Sequence, residues 1–494
     1  MLSHFLGLSD AADAFSMAFR IPNILQNILG EGALSASFIP VYARLIAEGK
    51  HDEARRVAGA IAGLLALVVA VLVAIGITTA PWLVDLLAPG WDAPKRALTV
   101  RLVQILFPGT GLLVWSAWCL GILNSHRRFL LPYFAPVVWN AAIIAATLLA
   151  PAGAFASEIV IWTAWGAVAG AFLQLSVQLP AARRAAAPVF RRRALEDSGG
   201  RSVFRSFGPA LLTRGIVQVS AWVDGVLASF LGTGAAAALA NAQLIYTLPV
   251  ALFGSSVAAA ELPALSAEAG AAGAAPGLLR DRIDRGLRQV AFFVIPSAVA
   301  MLTLGHVLAG AIFQTGAFTR ADTFYVWGIL AGYSIGLLAG TLGRLFASGW
   351  FALHDTRGPL RFASVRVAIT VTLGIVASLQ GPALLGLDPR WGTAGITVAS
   401  ATATMTEFWL LRRGLERRIG RVRLPAGLLM RLWGTAFAGA AAGWGVFVIV
   451  DEKIGPLLRA VFVLLPFAAV YFGGTLLLGV AQARDLLGRV QHGR

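Results

Sequence analysis

The sequence predicts an all-α protein that crosses a membrane many times, and three observations carry that prediction. Of the 494 residues, 58% are hydrophobic and only 13% are charged, and the mean hydropathy is +0.76. Soluble domains carry about 25% charged residues, because much of a globule's chain must still meet water. Second, the apolar residues gather into long runs, and a helix needs roughly 20 of them to cross a hydrocarbon core of about 30 Å. These runs are continuous, whereas barrel strands alternate over about ten residues, so they read as helices. Third, the basic residues concentrate in alternate loops between the runs. The same composition excludes an ordinary soluble enzyme, a disordered chain and a secreted disulfide scaffold. The one cysteine, Cys119, lies inside an apolar run, so no intramolecular disulfide can form.

Taken in order, the candidate spans are 57–80, 102–123, 132–150, 159–179, 207–231, 236–260, 289–313, 324–347, 362–381, 392–411, 428–450 and 457–480. A further run, 14–43, is broken by polar residues, which makes thirteen. The net charge of +16 invites a nucleic-acid reading until the charges are placed. Of the 40 basic residues only Lys50, Lys95 and Lys453 are lysine, and 29 fall in one set of alternate loops and the tail. Arg191, Arg192 and Arg193, and Arg412 through Arg423, are the densest clusters. The opposite loops hold six: Lys95, Arg96, Arg320, Arg390, Lys453 and Arg459. Positive loops stay in the cytoplasm, so the C-terminus is predicted to be cytoplasmic, and no nucleic-acid partner is expected. Met1–Asp13 is too short and polar to span, and lacks the basic start of a signal peptide. By alternation the first complete span begins on the outer face, where a design of this kind needs one more helix before it.

An internal repeat gives the same answer. Phe5-Leu6-Gly7, Asp10–Ala14 and Arg20-Ile21-Pro22 resemble Phe230-Leu231-Gly232, Ala235–Asn241 and Thr247-Leu248-Pro249. Phe38-Ile39-Pro40 with Ala47-Glu48-Gly49 echoes Glu261-Leu262-Pro263 with Ala267–Gly270. Two related lobes follow, and the helix before the shared segment in the second copy, Gly208–Leu231, has no counterpart in the first. The predicted organisation is an N-terminal lobe over 1–180 without its first helix, a basic loop over 181–206, a C-terminal lobe over 207–425, and two closing helices with a cytoplasmic tail over 426–494.

A charge at mid-bilayer costs at least about 2.5–3.5 kcal/mol on insertion scales, so each needs a partner, water or a task. The broken span carries Asp13, Arg20, Asn23, Gln26, Asn27 and Glu31, interrupted by Pro22 and by Gly30 and Gly32. Arg20, Asn23 and Asn27 follow at intervals of three and four and share a helical face. They form either the wall of a hydrated cavity or pairs that tie two helices together. The 207–231 run adds Arg214, Gln218 and Asp224, the next Gln243 and Glu261. Asp224 either binds a coupling cation or proton or makes a salt bridge to a neighbouring helix. Glu261 is a coupling or structural acid. Arg344 and Glu407 lie near span ends and are expected to reach out to the interface. The six histidines have no metal-ligand spacing, and no phosphate-binding glycine loop is present. Neither a cofactor, a metal nor a catalytic residue is expected.

Several longer motifs resemble a known family. Asp13-Ala-Phe-Ser-Met-Ala-Phe-Arg-Ile-Pro-Asn23 and Gly30-Glu-Gly-Ala-Leu-Ser-Ala-Ser-Phe-Ile-Pro40 are similar to the signature of the MurJ/MviN lipid II flippases. So are Gly121–Ser125 with Arg128-Phe129 and Phe134–Pro136 through Asn140, Ile312–Thr319, and Trp350–Thr356 through Pro359. The resemblance implies a two-lobe exporter fold of fourteen helices with a pseudo-two-fold repeat, about thirteen of them present. It implies a cavity between six-helix lobes and a lipid-tail groove at helices 13 and 14. The implied task is moving undecaprenyl-diphosphate-linked peptidoglycan precursor to the outer leaflet by alternating access in the bacterial inner membrane. Lipid-linked precursor and membrane lipids would be its partners. Arginine suits a diphosphate, since its planar fork clasps two oxygens.

The sequence departs from the family pattern in its arginines. The pair after Pro-Asn aligns with Gln26 and Asn27, and the arginine before Leu-Pro in the second lobe falls on Leu244 beside Gln243. Arg20 and Arg214 are the candidates to replace them. Two other readings stay open: an exporter of another polyprenyl-linked saccharide or an amphipathic drug, and a non-transporting scaffold that binds cell-wall synthesis proteins.

Overall fold

The computed structural model describes residues 1–27, 29, 34–151, 153–187, 222–255, 276–353, 355, 357–423, 425–450 and 454–492. Among them every regular element is helical. The chain divides into two compact units, Met1–Ala236 and Ala237–Arg494.

The first unit contains α1 (Leu2–Leu6), α2 (Asp10–Gln26), α3 (Ser35–Ala47), α4 (His51–Leu87), α5 (Ala93–Ser125), α6 (Leu130–Leu148) and α7 (Ala156–Ala186). Residues 222–229 are also helical. Ser9 starts α2 by accepting the Ala12 N–H at 3.3 Å, which satisfies one of the first-turn donors that no helix can pair internally. Pro22 lies inside α2 rather than at its end, and Asn27, Leu29 and Leu34 have π-helical geometry before α3 begins. The predicted interruption at Gly30 and Gly32 lies outside the described residues. Helix α5 is the centre of this unit, packed by α2, α3, α4 and α7. Trp118 and Ile122 of α5 and Phe38 and Tyr42 of α3 lie in one buried cluster.

The second unit contains α8 (Ala235–Pro249, whose first two residues belong to the first unit), α9 (Pro276–Phe313), α10 (Arg320–Ala352), α11 (Arg357–Ile375), α12 (Gly392–Ile419), α13 (Ala426–Ile449), α14 (Pro456–Leu477) and α15 (Ala481–His492). Helices α8 and α11 each run on through a π-helical segment, Val250–Ser255 and Val376–Gln380. Helix α10 packs between α9 and α12, while α13 and α14 pair and lean on α9. Phe292, Leu304, Leu432, Val463 and Tyr471 form that second core. The Tyr471 hydroxyl donates to the Phe292 carbonyl at 2.5 Å, so its polar end is satisfied inside the apolar cluster.

Ten of the described helices are long and apolar enough to cross a membrane. Of the other predicted spans, 14–43 appears as α2 and α3, and most of 207–231 lies outside the described residues. The run 392–411 is α12, whose Thr393, Thr397, Thr402, Thr404 and Thr406 leave it outside those ten. Large apolar side chains point outward, among them Leu67, Ile75 and Trp82 on α4 and Trp165 and Phe172 on α7. In water such a surface would drive aggregation; against lipid tails it is the expected exterior.

Candidate functional site

Polar side chains within the first unit converge at the start of α2. Asp13 is fully buried and Lys95, at the start of α5, is 7% exposed. Lys95 Nζ donates to Asp13 Oδ2 at 2.5 Å and to Asp10 Oδ1 at 2.9 Å. The backbone N–H of Gly234 donates to the same Asp13 oxygen at 2.7 Å, and the Thr233 hydroxyl to Asp10 Oδ1 at 2.8 Å. The lysine also lies over the Trp91 ring, 4.7 Å from its centre. One ammonium thus ties α2, α5 and the 233–234 turn together. A buried ion pair holds only when its remaining valences are met, and here backbone and hydroxyl donors meet them.

Arg20 follows two turns later on α2. Its Nη1 is 3.1 Å from the place a Cβ on Gly225 would occupy, so the guanidinium lies on the backbone beside the buried Asp224. A Cβ at 225 would require that guanidinium to give by a few tenths of an ångström. Asn23 lines a small cavity with Phe19, Thr110 and Trp139, against α5 and α6. Gln26 is half-buried and Asn27 exposed. Glu31, Arg214, Gln218 and Glu261 lie outside the described residues.

In the second unit Gln243 is half-buried on α8, and its carbonyl accepts the Thr247 hydroxyl at 2.8 Å. Tyr246, one turn on, stacks on Tyr333 of α10 with ring centres 5.0 Å apart. Arg344 is exposed on α10, with its Cδ near Gly254. Glu407 does not extend alone to the interface: it pairs with Arg366 at 3.4 Å, linking α12 to α11. A separate apolar cavity of about 610 Å³ opens among α9, α10, α12 and α13, lined by Leu302, Leu338, Met405, Phe408, Trp409 and Trp433. Its size and lining suit part of a long hydrocarbon chain.

Sequence reasoning missed Lys95 and Arg366, which it placed among loop charges. The signal for Lys95 was its place just after Asp92-Ala93-Pro94, a helix start that turns the side chain inward. Asp355, in the Trp350–Thr356 motif, proves to be a cap: its carboxylate accepts the N–H of Arg357 and of Gly358 at 2.9 and 3.1 Å and pairs with Arg418 at 2.7 Å. The Gly358 N–H and the Arg418 guanidinium hold that carboxyl below the usual range. Among the described residues no group of three His, Cys, Asp or Glu could hold a metal ion. Each unit thus holds charged pairs and hydrogen bonds among its apolar helices.

Residues 2–461 match the family model described as lipid II flippase MurJ. The chain is 32% identical to a probable lipid II flippase MurJ of Rhizobium meliloti over 463 residues, covering 92% of this chain and 83% of that one. It is 31% identical to a lipid II flippase MurJ of Burkholderia cenocepacia over 500 residues, covering 98% and 94%. Among solved structures, a lipid II flippase MurJ in an inward closed conformation superposes with a TM-score of 0.77 at 21% identity, over 98% of this chain and 95% of that one. An inward-facing multidrug transporter of the MATE family gives 0.70 at 15% identity, over 84% and 93%.

Proposed function

The chain belongs to the lipid II flippase MurJ family, and from that premise we propose that it moves lipid II from the inner to the outer leaflet of the bacterial cytoplasmic membrane by alternating access. The observation that carries this reading is the family match over residues 2–461, which takes in the polar helix α2 and the apolar cavity together. A lipid-linked diphosphate needs both kinds of surface: its head cannot enter hydrocarbon unsolvated, and its tail has no place in water. Arg20 and Arg214 are the arginines proposed to meet the head, in place of the family's arginines that Gln26, Asn27 and Leu244 replace. Helices α9, α10, α12 and α13 provide the cavity for the tail. The loop charges set the orientation, with the tail after α14 in the cytoplasm, and the protein acts as a transporter with no covalent step.

The test is the fraction of lipid II exposed on the outer leaflet of bacteria depleted of their resident flippase. Supplying this chain is expected to restore exposure, and Arg20→Ala or Arg214→Ala to reduce it at unchanged membrane abundance. If the chain reaches the membrane and exposure stays at the depleted level, the lipid II reading fails and export of another polyprenyl-linked saccharide moves ahead.

A further inference from the structure

In the second unit α13 packs on α9 and α14, while α12 packs on α10 and α11. The apolar cavity of about 610 Å³ opens between α12 and α13, over α9 and α10. Ala298 of α9 and Leu342 of α10 line it and are buried, whereas Met405 and Trp409 of α12 line it and are each 47% exposed. The cavity is therefore a cleft that runs from the interior of the unit to its lipid-facing side. Apart from two indoles, Ser334 is the one polar side chain among the described lining residues, and its hydroxyl already donates to the Ala331 carbonyl at 2.6 Å.

A cation stands at the rim of this cleft. Arg413, one turn after Trp409 on α12, lies 3.6 Å from the centre of the Trp409 ring. It is exposed and makes no hydrogen bond or ion pair with any described residue. Stacking on the indole holds the guanidinium in place and leaves its five N–H donors unused. The acids nearest to it along α12 are engaged elsewhere: Glu407 pairs with Arg366 at 3.4 Å and Glu416 with Arg412 at 2.9 Å. Arg417, one turn further on, continues the same helical stripe. It too is exposed, with no partner among the described residues. Tryptophan gathers at headgroup depth and arginine on the cytoplasmic side, and by the proposed orientation this end of α12 lies at the cytoplasmic surface.

We propose that this cleft docks a polyprenyl phosphate from the cytoplasmic leaflet, with the isoprenoid chain in the cavity and the phosphate on Arg413. The protein then recognises the carrier lipid apart from the saccharide it bears. This rests on the transport reading, which gives the cavity to the lipid tail, and adds the residue that selects the tail's owner. A guanidinium with free donors can clasp two phosphate oxygens at once. The chain chemistry points the same way. One cavity takes one chain, whereas a diacyl phospholipid carries two from a single head. The methyl branches of an isoprenoid chain need a wall that adapts, and Met405, Phe408, Trp409 and Trp433 supply a flexible thioether and broad aromatic faces. Docking here precedes the meeting of the head with Arg20 and Arg214.

The test uses the purified full chain in detergent, with thermal unfolding titrated against undecaprenyl phosphate, undecaprenol and phosphatidylglycerol. Undecaprenyl phosphate is expected to stabilise at about ten-fold lower concentration than undecaprenol, the worth of one charge-assisted pair, and phosphatidylglycerol to do least. Arg413→Gln is expected to weaken undecaprenyl phosphate about ten-fold while leaving undecaprenol unchanged, a split that a merely structural arginine would not produce. Should the glutamine variant fail to fold, Arg413→Lys, which keeps charge but loses the fork, is expected to fall between it and the wild type. Met405→Trp, which narrows the cleft from its exposed side, is expected to weaken both polyprenyl ligands. Arg361→Gln, exposed on α11 and away from the cleft lining, is expected to bind as the wild type does. Equal binding of undecaprenol and undecaprenyl phosphate, or an Arg413→Gln protein that still tells them apart, would overturn the proposal. So would phosphatidylglycerol matching undecaprenyl phosphate, which would give the cleft to bulk phospholipid. Carrier binding without restored lipid II exposure would sink the lipid II reading and leave the cleft assignment standing; restored exposure without carrier binding would do the reverse.

Discussion

Lys95 and Asp13 show how a charge inside a membrane protein is made tolerable. With the lysine side chain 6% and the aspartate 0% exposed, water can replace neither partner. Lys95→Met removes the ammonium from that buried carboxylate, and the expected loss of stability is up to about 3–5 kcal/mol, read as a lowered melting temperature of the purified protein. Removing both charges, as Lys95→Met with Asp13→Leu, is expected to recover most of it. A double variant no more stable than Lys95→Met alone would show that the pair does not act as a unit. Lys50→Met is the contrast: its pairing with Glu48 is exposed on both sides, and no measurable change is expected. Asp13 was legible in the sequence because an acid in an apolar stretch demands a partner. Its partner was not, since a lysine next to a loop and one folded under a helix start look alike until the helices are placed.

At the scale of the element, span position was readable and span length was not. The run 57–80 proves to be His51–Leu87, and 289–313 the last part of Pro276–Phe313. Hydropathy sees only the part in hydrocarbon, while helices continue into the interface where polar residues keep the same backbone bonds. Helix contacts were hidden for another reason: 54 glycines are spread through the chain, and composition does not tell which ones face a neighbour. Gly336 does. A Cβ there would stand 2.8 Å from Ala401 Cα, a backbone atom of α12 that cannot turn aside, whereas at Gly343 the nearest atoms are 4.0 Å away. Gly336→Val is therefore expected to force α10 and α12 apart at a cost of about 1–3 kcal/mol or more. Gly343→Ala is expected to be neutral or stabilising by up to about 1 kcal/mol through helix propensity. Melting temperatures of the two variants decide it; equal effects would mean that the α10–α12 crossing is not set by close backbone approach.

For the whole molecule the bilayer is the solvent, and it makes the large features of the fold legible: only helices and closed barrels satisfy every backbone group in hydrocarbon, long continuous apolar runs select helices, and loop charge predicts their direction. The candidate site was less so, because its pairs join residues far apart in sequence, as Asp13 to Lys95 and Arg366 to Glu407. The orientation proposed from 29 against six basic residues can be tested directly, since the protein has one cysteine and that one is buried. Cys119 is 0% exposed inside α5, so a membrane-impermeant maleimide should leave the wild type unlabelled in intact cells. Arg390 and Asp485 are both exposed, and α12, α13 and α14 lie between them in the chain. With α12 counted as a crossing beside α13 and α14, the proposed orientation puts the two positions on opposite sides. Arg390→Cys is expected to react in intact cells, and Asp485→Cys only after the membrane is opened. The reverse pattern would invert the orientation while keeping the three crossings; equal labelling of both in intact cells would instead remove one of those crossings and with it the assignment of α12, the least apolar of the three, as a span.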